Sequence, residues 1–167
     1  MDLLLERTLH LTVADDRTQV LLPFALPRDY AALQIDCDYA PKYIEAPTAI
    51  RRAVAACFDR YLPPEQRPAQ IDPAQYRLSN LLTLSLDCCT PEGVFYLGAA
   101  HRQAPCQRHL LSAAFASPGF LKTTPRAGLW RAVVSVHALA AGDVRYHIAV
   151  RGLENAEAAA AIPLHGA

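Results

Sequence analysis

His101, Cys106 and His109 stand in an H-x4-C-x2-H spacing, and two imidazoles with a thiolate are donors that zinc accepts. Carried on a loop and the start of a strand, they could hold a metal ion from three sides. Structural zinc usually draws four ligands from more tightly paired positions, and no Cys-x2-Cys pair accompanies these three. The simpler reading is two surface histidines and a buried thiol, with no metal. Cys88 and Cys89 are adjacent, so on a strand their side chains point to opposite faces and cannot bridge comfortably. No His or Lys neighbours them in sequence to lower a thiol pKa.

Asp36, Asp38 and Asp87 fall on the polar side of alternating segments, and Asp15-Asp16 fall in a turn, a distribution that would suit calcium only if the chain gathered them. A calcium-loop pattern with its tight-turn glycine is absent, and solvated carboxylates account for these acids. The sequence also lacks G-x-S-x-G, G-x-G-x-x-G, a P-loop and H-E-x-x-H. Six histidines scattered among strands name no acid, base or nucleophile, so the expectation is a chain without catalytic residues and without a cofactor.

Flat aromatic rings are the other chemistry to look for, because sugar rings stack on them. Trp130 at a strand start, Tyr43 in a loop and Tyr96 near a strand end are the candidate ligand-binding rings, with Tyr61 a further loop-side tyrosine. A lone tryptophan at a strand start more often belongs to a core.

These side chains need a scaffold, and composition bounds it. The chain has 167 residues, 52% apolar and 19% charged, enough apolar material for one core. Sixteen basic residues balance sixteen acidic ones, which gives no field to draw the protein to nucleic acid or anionic lipid and little repulsion against self-association. The first residues, Met1-Asp2-Leu3-Leu4-Leu5-Glu6-Arg7, lack the basic start and long apolar run of a secretion signal, and no apolar run reaches the length of a membrane span. A soluble, cytoplasmic protein is expected. Five cysteines without framework spacing then imply free, mostly buried thiols.

Along the chain, Leu9, Leu11 and Val13 alternate with polar residues, as do Val20, Leu22, Phe24 and Leu26, where Pro23 implies an edge strand. Leu33, Ile35, Cys37 and Tyr39 fall on one face of a third strand. Ala49, Ile50, Ala53, Val54, Cys57, Phe58 and Tyr61 recur at helical steps after a Pro47-Thr48 cap, and Pro63-Pro64 ends that helix. Residues 62–76 read as a structured excursion. Leu82, Leu84 and Leu86 lead through Thr90-Pro91-Glu92-Gly93 to Val94-Phe95-Tyr96-Leu97, a hairpin, and a strand is expected over 108–115. The segment from Leu129 to Val136 is apolar on nearly both sides and so reads as a central strand. With the Ala141-Gly142-Asp143 turn and the alternation of Tyr146, Ile148 and Val150, it predicts a second hairpin.

Several segments together resemble the accessory β-sandwich that precedes the catalytic domain in some PHP-type metal-dependent phosphoesterases. They are Pro23-Phe24-Ala25-Leu26-Pro27, Leu33-Gln34-Ile35 with Asp38-Tyr39-Ala40-Pro41, and the run from Asn80 to Asp87. Ser117-Pro118-Gly119-Phe120, Ala127-Gly128-Leu129-Trp130 and Val144-Arg145-Tyr146-His147-Ile148 extend the similarity over most of residues 20–151. The family's metal-binding histidines begin with an H-x-H pair in the domain after the sandwich. This sequence has no such pair, so the resemblance implies the fold and an accessory role and carries over no phosphoesterase residues.

The resulting expectation is an all-β, two-sheet antiparallel sandwich, jelly-roll-like, with about eight strands. It forms one domain over residues 1–153 with a helical insertion near 48–61, followed by a tail at 154–167. Its expected role is non-catalytic association with a separate catalytic protein chain, with itself as a homodimer, or with a ligand. A carbohydrate-binding module is the alternative. The second strand and the helix are the first places to look for a partner surface.

Overall fold

The structure is a computed structural model that describes residues 1–100, 104–140 and 143–155. Eight strands run in the order β1 (Asp2–Leu11), β2 (Gln19–Leu26), β3 (Ala32–Ala40), β4 (Leu81–Thr90), β5 (Gly93–Ala99), β6 (Cys106–Ser112), β7 (Gly128–Ala138) and β8 (Val144–Leu153). One helix, α1 (Pro47–Tyr61), interrupts them between β3 and β4. The strands form two antiparallel four-stranded sheets, β1-β8-β3-β6 and β2-β7-β4-β5. First pairs with last, second with seventh, third with sixth and fourth with fifth. This is a long antiparallel ribbon wound into two layers, the jelly-roll arrangement.

The winding follows from period-two alternation. Leu33, Ile35, Cys37 and Tyr39 of β3 and Tyr146, Ile148 and Val150 of β8 face inward, and all are buried. They meet Leu22, Phe24 and Leu26 of β2, Leu82, Leu84 and Leu86 of β4, and Trp130, Ala132, Val134 and Val136 of β7 in one apolar cluster. Tyr39 and Tyr146 lie nearly parallel within it, ring centroids 6.3 Å apart. The Trp130 indole N–H donates to the Arg126 carbonyl at 3.0 Å, so the ring is buried without stranding its polar atom.

Four details differ from the sequence reading. β7 and β8 have the turn chemistry of a hairpin, yet they lie in opposite sheets and face each other across the core. Each has one fully buried face, and crossing to the other layer covers both. Val13 belongs to a 3₁₀ turn, Val13–Asp15, capped by Thr12, and its side chain is exposed. The sixth strand starts at Cys106 and stops at Ser112, where the chain bends back and the Ser112 hydroxyl accepts from the Phe115 amide at 2.9 Å. Helix α1 begins at Pro47 with Ala46 as its cap residue and no side-chain cap, because Pro47 at the first position removes one of the amides a cap would satisfy.

The excursion 41–80 is closed at its neck. Ile44 and Asn80 amides donate to Leu78 and Lys42 carbonyls at 3.1 and 2.9 Å, and the fully buried Asn80 side chain ties Pro41 to Ala140. Within it, Phe58 meets Tyr76 edge-on and Arg67 grips Asp59, while only Ile50 and Val54 of α1 are buried. The helix packs on its own excursion and exposes Tyr61, without a broad apolar stripe.

Gly98 is where the fold demands a missing side chain. Its φ is +113°, and a Cβ would lie 2.2 Å from the Gly119 carbonyl oxygen, backbone that cannot swing aside. Gly98→Ala is expected to lower unfolding stability by on the order of 3 kcal/mol, measured by urea denaturation.

Candidate functional site

The proposed metal donors do not converge as the spacing suggested. His101 lies outside the described residues. Cys106 and His109 are three apart on one strand, so they project from opposite faces of the sheet. Their expected exposures are also reversed, since Cys106 is exposed on the outer face and His109 is buried on the inner one. No cluster of three potential metal ligands occurs among the described residues. His109 sits 5.0 Å from the Phe120 ring, centroid to centroid, with its Nε2 2.9 Å from Gln107 Oε1. Burial pushes its pKa down to about 4. All five thiols are free, but only Cys37 is buried, where burial beside the Tyr146 hydroxyl raises its pKa to about 12.

The three candidate rings separate. Trp130 is a core residue, 1% exposed, and offers no face to a ligand. Tyr43 stands at the neck of the excursion with the Arg77 guanidinium 4.4 Å over its ring. Tyr96 is open, 59% exposed, on the outer face of the second sheet.

The two outer faces of the sandwich differ in chemistry. That of β1-β8-β3-β6 is ionic. Asp36 accepts from Arg108 Nε at 2.5 Å, Arg151 Nη1 at 2.8 Å and Gln34 Nε2 at 2.6 Å. Asp38 accepts from Arg145 at 2.9 Å and has His147 Nδ1 at 3.4 Å, while Glu6 lies 3.4 Å from the other imidazole nitrogen. Asp36, Asp38, Arg108, His147 and Arg151 line a shallow depression of about 580 Å³ with Cys106 at its side. Arginine therefore engages Asp36 and Asp38, two of the aspartates the sequence had offered for calcium; register sets Arg108 opposite Asp36 and His147 opposite Asp38, with Arg151 and Arg145 on the diagonals.

The outer face of β2-β7-β4-β5 is polar at one end, where Gln19 bonds Ser135 and Thr83 bonds His137, and largely apolar over the rest. Register puts Leu21, Val133 and Ser85 in one row, Pro23, Arg131, Asp87 and Tyr96 in the next, and Ala25, Leu129, Cys89 and Val94 in a third. Leu21, Leu129, Val94 and Tyr96 are each more than half exposed. At the centre Arg131 donates through Nε and Nη2 to the same oxygen of the buried Asp87, at 2.9 and 2.6 Å. That pair neutralises itself, so the face presents hydrocarbon around one satisfied ion pair. Leu21, Leu129 and Val94 were not singled out in the sequence. The signal for Leu129 was the two-sided apolar pattern of β7, which marks both a core face and an uncovered outer one.

No protein-family model matches the chain, and comparison with curated proteins and with solved structures returns no match. No helix among the described residues is long and apolar enough to cross a membrane.

His109 gives the fold a pH dependence of definite sign. Its folded pKa of about 4 lies below an unfolded value of about 6.5, so the unfolded chain takes up a proton that the folded one refuses. The stability His109 supports is complete above pH 6.5 and is lost as pH falls towards 4, on the order of 3 kcal/mol in all. Urea midpoints measured between pH 7 and pH 4.5 should fall for the natural chain and fall less for His109→Gln.

Proposed function

We propose that this chain is a non-catalytic β-sandwich module that works by association, with the outer face of β2-β7-β4-β5 as its partner surface. The observation that carries the reading is the set of half-exposed apolar side chains Leu21, Leu129, Val94 and Tyr96 on one sheet face. Exposed apolar side chains around a self-neutralised ion pair are suited to a protein surface, because their burial gains hydrophobic free energy and leaves no charge unpaired. On the other face Asp36, Asp38, Arg108, Arg145 and Arg151 are committed to ion pairs. The partner we propose, from the sequence resemblance, is a separate metal-dependent phosphoesterase of the PHP type, to which this chain is accessory.

A carbohydrate ligand is the second reading, favoured by Tyr96 alone, whose ring stands open on that face. It has lost the support of Trp130.

Affinity capture from the native extract distinguishes the readings. The tagged chain is expected to retain a stoichiometric phosphoesterase, and Leu129→Asp, in the row of Ala25 and Val94, to reduce retention at least about tenfold, the equivalent of 1.4 kcal/mol. Leu129 is 51% exposed, so the substitution should leave the fold intact by circular dichroism. Binding to a glycan array that Tyr96→Ala abolishes, with no protein retained, would replace the association reading with the carbohydrate one.

A further inference from the structure

A two-sheet sandwich has four edge strands, here β1, β6, β2 and β5, and each presents backbone groups that could pair with another chain. Three of them carry a recognisable block. β1 has a register shift between Leu3 and Leu5, and its exposed Arg7 shares the inward face with Leu5 and Leu9. β2 carries Pro23, which has no amide to donate. β6 is covered by the loop that follows it, where the Leu110 amide donates to Ser117 Oγ at 2.9 Å and the Ser117 amide returns to the Leu110 carbonyl at 2.8 Å.

β5 is treated differently along its length. The same loop caps its second half, through Ala99 N–H to the Gly119 carbonyl at 2.9 Å and Leu121 N–H to the Leu97 carbonyl at 2.8 Å. Its first half has no such cover among the described residues. There Val94, Phe95 and Tyr96 are consecutive and 51 to 59% exposed, although alternation puts Phe95 on the inner side with Cys88 and the other two on the outer side. On a strand bonded on one side only, alternate amides and carbonyls of this segment point away from β4. It is an open edge that is apolar on both faces.

We infer that this segment is a self-association site, where β5 of one copy adds antiparallel to β5 of a second copy across a two-fold axis. The occupant follows from charge. A two-fold lays the segment antiparallel against its own copy, so a charge close to the axis meets its like, and Gly93-Val94-Phe95-Tyr96-Leu97 contains none. The same operation on β1 would oppose segments carrying Glu6, Arg7 and His10, and on β6 would bring Arg108 towards Arg108. The chain's zero formal charge adds no long-range repulsion. Pairing makes one eight-stranded sheet, β2-β7-β4-β5 continued into its copy, and covers the three exposed side chains from the side. The contact is short, so the dimer should dissociate at roughly micromolar concentration.

This site rests on the backbone edge, independently of what the outer sheet face binds. Sedimentation velocity over a concentration series of the full chain tests it. The natural protein should pass from monomer to dimer, and Val94→Lys and Phe95→Lys, each placing a charge beside its own copy, should weaken dimerisation at least about tenfold. Val13→Lys, in the exposed turn after β1, should leave it unchanged. A measurement that needs no variant is amide hydrogen exchange of the natural chain, where Val94 and Tyr96 should slow as concentration rises. A natural chain that remains monomeric, a dimer indifferent to both lysine substitutions, or exchange at residues 93–96 independent of concentration would overturn the inference.

Discussion

The structure depends on one constraint: the inner faces of two sheets must cover each other, because neither has another way to leave water. Leu33, Ile35, Tyr146 and Ile148 supply one half of that contact and Leu84, Leu86, Trp130 and Val134 the other. Fully burying side chains of this size contributes about 1.5–3 kcal/mol each, more than any single turn or ion pair in the molecule can offset. The chain therefore crosses between layers after every strand but β4, which turns back to β5 within its own sheet. The crossovers after β1, β3 and β7 are tied together at one end of the sandwich, where Asn80 joins the excursion to Ala140 and Asp16 accepts from the Leu139 amide.

Once the inner faces are fixed, alternation assigns every intervening residue to an outer face, and the two outer faces inherit different chemistry. On β3 and β8 the outward positions are Asp36, Asp38, Arg145, His147 and Arg151, which neutralise one another across strands. On β2, β7 and β5 they include Leu21, Leu129, Val94 and Tyr96, each more than half exposed. The asymmetry between a saturated ionic face and an unsatisfied apolar one underlies the association reading.

Much of this was legible in sequence because it is local. Two-residue alternation identified β3, Pro23 marked β2 as an edge, Thr90-Pro91-Glu92-Gly93 marked the β4–β5 hairpin, and the two-sided apolar pattern marked β7 as central. What failed was non-local. A short turn joins neighbours in one sheet or an arch between two sheets with the same residues, so the chemistry between β7 and β8 could not reveal which. His109 and Cys106 exchanged their expected environments because the inward parity of β6 is set by its register with β3, which pairs Ile35 with His109. The open stretch of β5 depends on where the loop after β6 stops covering it, a distance no single segment encodes.

The central claim is that the apolar face and not the ionic one meets the partner. Site-specific photo-crosslinking in the native extract tests it most directly, with the photoreactive residue placed once at position 129 and once at position 38. The account predicts a discrete adduct from position 129, containing a metal-dependent phosphoesterase, and none from position 38. An adduct formed from position 38 alone would contradict it and move the partner surface to the face of Asp36, Arg108 and Arg151.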